Sequence, residues 1–108
     1  MQLLTDKIKK ALPSLSSTES VPCEDKEVIV KFFNPMGPQT WEIVEGDYQE
    51  SIGTWLLFGL CDLGFGQAEW GYVTLAELES LDVGFGLGIE RDICVNSHLH
   101  DEWNTMEA

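Results

Sequence analysis

The spacing of strand-like segments constrains the fold of this chain more than any other feature. Runs rich in β-branched and aromatic residues lie at residues 27–33, 40–46, 54–62, 70–73 and 89–95. Most connections between them are too short for the crossover of a dozen or more residues that joins parallel strands. Two short helical patterns accompany them. The sequence therefore predicts an α+β fold, a mostly antiparallel sheet of about five strands with two short helices packed against it.

The run at residues 54–62 is apolar on both of its faces. Trp55 and Leu57 alternate with Leu56 and Phe58, so neither face of the strand offers polar side chains to solvent. Strands of this kind are central in a sheet or are covered on both sides. We expect this run to form an interior strand.

Both helical patterns have recognisable ends. In the first, Leu4, Ile8 and Leu12 recur at intervals of four and form one stripe, which the following proline ends. In the second, the sequence TLAE beginning at Thr74 is a capping box, which predicts a helix at about residues 75–81.

The length of 108 residues is that of one domain. We expect a single domain over residues 1–108. Its predicted parts are an N-terminal helix in 1–13, a loop at 14–26, the sheet and second helix at 27–95, and a flexible acidic tail at 96–108.

The net charge of −13 is distributed unevenly. Residues 1–40 contain five acids and five lysines, whereas residues 41–108 contain fourteen acids and the single arginine, Arg91. A field of this sign repels the phosphates that nucleic-acid-binding proteins neutralise with Lys and Arg. It attracts basic surfaces instead, although acidity also serves to keep a protein soluble. We expect a protein partner with a basic surface and no direct nucleic-acid binding.

Acids of the second part of the chain are the predicted contact residues for such a partner. They are Glu42, Glu45, Asp47, Glu50, Glu69, Glu77, Glu79 and Asp82. Displayed as one continuous face, they would compete with DNA, whose duplex carries one charge per about 1.7 Å of axis. This expectation depends on the fold bringing them together. The oligomeric state is left open.

The cysteine pattern and the absence of long apolar runs predict a cytoplasmic location. Cys23, Cys61 and Cys94 are odd in number and form no C-x-x-C pair, which is not the pattern of a disulfide framework. No segment approaches the roughly 20 apolar residues of a membrane span or has the pattern of a secretory signal. We expect a soluble protein that does not bind a membrane.

The sequence GFGLG at residues 84–88 has the glycine content of a phosphate-binding loop but the wrong context. A dinucleotide fingerprint needs G-x-G-x-x-G after a strand and before a helix. Here the spacing is G-x-G-x-G, a predicted helix precedes it, and a predicted strand follows it. We interpret the glycines as a turn.

In the strand that follows, Arg91 shares a face with Ile89 and Ile93. This favours a partly buried guanidinium bound to a carboxylate or to carbonyls over an anion-binding or partner-binding role.

Few residues offer catalytic or metal-binding chemistry. His98, His100, Asp101 and Glu102 in SHLHDE could bind zinc or nickel loosely, but no third fixed ligand accompanies them. No nucleophile with a partner base is recognisable. We therefore expect no catalytic residues, no metal site and no cofactor, and consider an enzyme the less favoured interpretation.

Several segments together resemble a known family. They are VKFFNP, GYVTLAELESL and the glycine-rich turn that leads into IERD, within a match over about residues 3–95. The family is a bacterial domain-of-unknown-function family of single-domain proteins of this size, found on plasmids, phages and integrative mobile elements. Members commonly carry proline where this chain has Gly88. The resemblance implies a single-domain fold and a mobile-element setting, with no established activity, although some members carry a label of single-stranded DNA endonuclease.

Three functional hypotheses remain. The first is a small acidic mobile-element protein that binds a basic surface of a host protein, with a DNA-mimic-like inhibitor of a defence or DNA-binding complex as its most specific form. The alternative is a metal-dependent single-strand nuclease or nucleic-acid-processing enzyme that holds Mg²⁺ or Mn²⁺ with clustered carboxylates. The third is a small subunit or regulator with Trp41 or Trp70 in an apolar interface.

Overall fold

The computed structural model describes residues 2–92 of the chain. The helices are α1 (Asp6–Ala11) and α2 (Leu75–Ser80), and a 3₁₀ turn spans Cys23–Asp25. The strands are β1 (Val30–Phe33), β2 (Thr40–Gln49), β3 (Thr54–Asp62), β4 (Ala68–Thr74) and β5 (Glu90–Asp92). Within these residues the strands form one sheet in the order β4-β3-β2-β1-β5, and every neighbouring pair is antiparallel. The predicted α+β fold is confirmed.

Helix α1 spans Asp6–Ala11, within the predicted residues 1–13. Thr5 is its N-cap, and the Thr5 hydroxyl accepts a hydrogen bond from the backbone N–H of Ile8 at 3.2 Å. Leu4 and Leu12, at the two ends of the predicted stripe, are buried. The backbone leaves the helical conformation at Leu12, directly before Pro13.

Helix α2 begins with the predicted capping box. The N–H of Glu77 donates to Thr74 Oγ1 at 3.1 Å, and the N–H of Thr74 donates to Glu77 Oε1 at 2.9 Å. The helix buries Leu75 and Leu78 and ends at Ser80. Among residues 2–92, no helix combines the length and apolar character needed to cross a membrane.

The hydrophobic core lies between the two helices and one face of the sheet. Side chains directly opposite each other in an antiparallel pair share a face, and the paired residues Val30–Ile43 and Phe32–Trp41 are all buried. The same cluster contains Leu3, Leu4, Leu12, Leu57, Leu75, Leu78 and Ile89. We call this side of the sheet the helical face.

Strand β3 is the predicted interior strand. It has the predicted bounds and pairs with both β2 and β4. Leu57 on the helical face is fully buried, whereas Phe58 and Leu60 on the opposite face are only partly buried. The strand is therefore central in the sheet but fully covered on one side only.

Other strand bounds differ from the predictions. β1 begins at Val30 rather than at residue 27, and β2 continues to Gln49 rather than ending at residue 46. The hairpin between β2 and β3 closes in the turn that follows Gln49, where Gly53 has a φ of 69°. Of the predicted strand at 89–95, the structure contains Glu90–Asp92. Ile89 is buried directly before the strand, and residues 93–95 and the predicted tail lie outside the described residues.

A β-bulge in β2 determines where one carboxylate points. Ile43 lies opposite Gly59 and Glu45 lies opposite Phe58, so Val44 is an extra residue in the register. Uninterrupted alternation would place Glu45 on the same face as Ile43, which would bring a carboxylate into the apolar core. The bulge turns Glu45 to the opposite face.

Candidate functional site

Large apolar side chains occupy the sheet face opposite the helices. The register places Leu60 beside Trp70, and Phe58 beside Tyr72 in the neighbouring row. Phe33 shares this face because it alternates with Phe32 of the core. We call Phe33, Phe58, Leu60, Trp70 and Tyr72 the aromatic face.

Three rings of the aromatic face are in contact. Phe58 stacks on Trp70 with ring centroids 5.7 Å apart and an interplanar angle of 25°. It also contacts Tyr72 at a centroid distance of 5.0 Å and an angle of 52°. Tyr72 is 60% exposed. Aromatic groups held in this way offer apolar contact area at a small cost in side-chain entropy, and exposed apolar patches of this kind mark interaction sites.

Carboxylates border the aromatic face. Those that share this side of the sheet by register are Glu42, Asp62, Glu90 and Asp92, together with Glu45 and Asp47 of β2. Lys31 lies between Glu42 and Asp92 in the same row. Among the described strand residues on this side, six carboxylates against the ammonium group of Lys31 make this border negatively charged.

Glu42 is a predicted contact residue that lies directly opposite Leu60 of the aromatic face in the register. Burial raises the pKa of Glu42 above its ordinary value. The charge of Lys31 lowers that pKa and the charge of Asp62 raises it, and burial is the largest of the three effects. The carboxylate is therefore partly desolvated before any partner arrives.

Glu45 has a structural role. It is 3% exposed, Oε1 accepts the N–H of Ser16 at 2.7 Å, and Oε2 accepts the N–H of Thr18 at 3.0 Å and also the Thr18 hydroxyl. Burial raises the pKa of Glu45, but the hydrogen bonds from Thr18 and Ser16 and the charge of Lys26 outweigh it, so the pKa lies below its ordinary value. A carboxylate bound in this way is not available to a partner's surface, and we remove Glu45 from the contact residues.

The segment of residues 14–26, which Glu45 holds, lies along one side of the aromatic face. Lys26 is buried, and its Nζ donates to the backbone carbonyl of Thr18 and to Thr18 Oγ1, the latter at 3.0 Å. Asp47 binds the same segment, because its Oδ2 accepts the N–H of Leu15 at 2.9 Å. A cavity of about 250 Å³ separates the segment from Phe58 and Tyr72. The aromatic face is thus bounded on this side by a segment that two acids hold in place.

The remaining predicted contact residues lie elsewhere. Glu50 is exposed after β2, and Glu69 is exposed on β4 at the helical side, opposite Cys61. Glu77 and Glu79 are exposed on α2, and Asp82 follows it and accepts the N–H of Gly84 at 2.9 Å. The structure brings the last three together near α2 but separates them from Glu42. The eight predicted acids do not share one face.

The glycine-rich segment is a turn, as predicted. The N–H of Val83 donates to the Leu87 carbonyl at 2.9 Å, and the N–H of Leu87 donates to the Gly84 carbonyl at 3.0 Å. Gly84, Phe85 and Gly86 have φ values of 110°, 57° and 73°, in the region that glycine favours. The turn presents Phe85, which is 90% exposed.

Arg91 ties β5 to the start of the chain. Its guanidinium Nη1 donates to the backbone carbonyl of Gln2, and Arg91 lies opposite Phe32 of the core in the register. This agrees with the prediction of a partly buried guanidinium bound to a carbonyl. The predicted metal-binding candidates of SHLHDE lie outside the described residues.

A family model described as "Protein of unknown function (DUF2958)" matches residues 3–101. The chain belongs to this family. The match extends beyond the predicted range of resemblance and covers every strand and both helices described above. No curated protein and no solved structure matches the chain. The family description assigns no activity to this DUF2958 member.

Within residues 2–92 of this DUF2958 chain, no three His, Cys, Asp or Glu side chains come together as metal ligands. Cys23 is exposed and Cys61 is half-buried, and both are free thiols. Burial raises the pKa of the Cys61 thiol above its ordinary value, which works against a reactive thiolate. The described residues thus supply no support for the nuclease alternative.

Sequence reasoning identified Trp70 as an interface candidate but missed the surface to which it belongs. The available signal was the alternation of Leu56, Phe58 and Leu60 on one face of β3, with Trp70 and Tyr72 at alternate positions of the next strand. β3 is interior in the sheet, as predicted, but on this face Phe58, Leu60 and Trp70 are only half-buried, and the segment of residues 14–26 borders it near Phe58 and Tyr72.

Proposed function

We propose that this protein binds a basic surface of another protein, using the aromatic face and the carboxylates beside it. The observation that carries the proposal is a stacked aromatic group, exposed on an open sheet face and bordered by acids. Interface anchors are typically aromatic side chains in a central position, and polar groups surround them. The same arrangement supports an interaction protein more than an enzyme.

The negative charge beside the aromatic face favours a partner with a basic surface. Six carboxylates and one lysine of the described strands share the sheet side that carries the aromatic face, and the chain as a whole carries −13. Glu45 and Asp47 among them bind the segment of residues 14–26. The lysines of α1 belong to a helix packed on the opposite side of the sheet, where Leu4 and Leu12 join the core. They therefore do not neutralise this border, which favours a cationic partner.

A mobile-element setting, suggested by the family resemblance, would make a host defence or DNA-binding protein the partner. Such proteins carry basic surfaces that contact phosphates. The division of the predicted acids between two regions and the burial of Glu45 make a DNA-mimic the weaker version of this proposal, because mimicry requires a regular row of charges. We propose surface blocking by contact instead.

A pull-down at two salt concentrations tests the proposal. Tagged protein is incubated with host lysate at about 0.1 M and about 1 M salt, where charges are screened over roughly 10 Å and 3 Å. We expect basic proteins to be retained at low salt and lost at high salt. Retention of no protein beyond a tag-only control, or of a set that is neither basic nor salt-sensitive, would contradict the proposal.

A further inference from the structure

The outer edge of β4 adjoins the aromatic face and is unpaired within the described chain. β4 is the terminal strand in the order β4-β3-β2-β1-β5, and in residues 2–92 its seven residues pair only with β3. The edge of such a strand presents backbone N–H and C=O groups that can pair with another chain.

β4 has few of the sequence features that usually prevent a sheet edge from pairing with another chain. The strand contains no proline and no lysine, and its register with β3 runs without a bulge from Leu56–Thr74 to Asp62–Ala68. Glu69 is its one charged residue. A Cβ placed on Gly71 would meet no atom within 4 Å, so the helical face beside the middle of this strand has room for a side chain of an added strand.

A shallow groove of about 350 Å³ follows this edge. Its lining includes Cys61, Glu69 and Gly71, which lie on the helical side of the sheet. It also includes Trp70 and Tyr72, which belong to the aromatic face. Phe65, which is 85% exposed, lines it from the turn before β4. The groove thus combines strand edge, apolar surface and one carboxylate.

We propose that β4 binds an extended segment of a partner protein as an added antiparallel strand, in which lysine or arginine alternates with apolar residues. This rests on the proposed function and specifies its binding mode. Residues of the added strand that share the face of Glu69 would be cationic, and those between them would pack beside Trp70 and Tyr72. Charge complementarity selects this occupant. A second copy of the chain would bring another −13 to the same edge, and the bordering carboxylates repel a nucleic-acid strand.

The test uses a peptide of alternating lysine and valine, long enough to pair with all of β4. Its binding is followed by NMR amide shifts and hydrogen exchange of the full chain. We expect shifts and exchange protection concentrated at residues 68–74. The same peptide methylated at every backbone nitrogen should bind at least about tenfold more weakly, because it cannot donate the strand hydrogen bonds. Equal binding of the two peptides would overturn strand addition.

A matched pair of charge reversals locates the contact. Glu69→Lys should weaken peptide binding about fivefold or more, since it replaces an attractive cross-strand pair by a repulsive one. Glu79→Lys makes the same change in total charge on α2, where the side chain is also exposed, and should leave binding nearly unchanged. Equal weakening by both variants would overturn the proposal while leaving a charge-driven partner, as in the proposed function, intact.

Three further outcomes are decisive. If the peptide does not bind but lysate proteins are retained in the salt-dependent manner expected above, strand addition fails and the proposed function stands. If sedimentation shows a dimer with residues 68–74 protected in the absence of peptide, the occupant is a second copy and the proposal is overturned. If oligothymidine quenches the tryptophan fluorescence and shifts the same amides, the occupant is single-stranded nucleic acid, and both proposals fail.

Discussion

Replacing Glu45 by glutamine tests how the segment beside the aromatic face is held. Glu45→Gln preserves shape but leaves one acceptor oxygen in place of two. In the wild type, the N–H of Ser16 and the N–H and hydroxyl of Thr18 all donate to the carboxylate. In the variant, the side-chain NH₂ group, which is itself a donor, faces the groups of one of these two residues. The buried Lys26 also loses the negative charge beside it.

The expected cost is large for a change of one atom. A hydrogen bond to a charged group contributes about 1.5–3 kcal/mol, and a buried donor left without a partner costs about 1–3 kcal/mol. These two contributions overlap, so we expect Glu45→Gln to lower the free energy of unfolding by about 2–4 kcal/mol. Glu50→Gln, at an exposed position, is the matched control and should change it by less than about 0.5 kcal/mol.

Urea unfolding followed by circular dichroism measures both variants, and its pH dependence supplies a second check. The folded-state pKa of Glu45 lies below its ordinary value, so the stability it contributes is present above the unfolded-state pKa. That stability is lost as the pH falls through the lower folded-state pKa. Glu45→Gln should lack this part of the acid destabilisation. A variant as stable as the wild type at neutral pH, or with an unchanged acid profile, would refute the structural role of Glu45.

Four other substitutions test the fold and the site. Thr74→Ala should lower the free energy of unfolding by about 1 kcal/mol in urea unfolding, because it removes the hydroxyl that caps α2; no loss would show that the capping box is not formed. Gly59→Ala should be severely destabilising, since its Cβ would lie 2.1 Å from the Glu42 carbonyl oxygen, whereas Gly71→Ala, with open space around it, should change the free energy of unfolding by less than about 1 kcal/mol; equal effects would contradict the packing. Lys31→Met should raise the pKa of Glu42 further, because the lysine charge lowers it; carbon-detected NMR titration of the carboxyl measures it, and a fall in the pKa would contradict the register.

Local patterns allowed much of the fold to be predicted. The capping box at Thr74 and Glu77 requires only residues three apart, and the structure contains it. The apolar pattern on both faces of residues 54–62 correctly predicted an interior strand, although the face with Phe58 and Leu60 is only partly buried. Features of this kind depend on neighbours in the sequence and are therefore visible in it.

The candidate site was less accessible, because it depends on contacts between distant residues. Glu45 binds Ser16 and Thr18 from the other side of a bulge in β2, and alternation alone does not predict a bulge. Strand order places Trp70 at the edge and Glu42 two strands away from it. The predicted set of acids failed to form one face for the same reason, since charge composition does not specify which side of a sheet each acid occupies.

Comparison of two exposed aromatic residues tests the central claim most directly. Tyr72 belongs to the aromatic face and is 60% exposed, whereas Phe85 lies on the glycine-rich turn and is 90% exposed. We expect Tyr72→Ala to reduce the retention of basic lysate proteins at low salt by about tenfold, as loss of an interface anchor would, and Phe85→Ala to leave it unchanged. Unaltered retention by Tyr72→Ala, or an equal loss in both variants, would contradict the assignment of binding to the aromatic face.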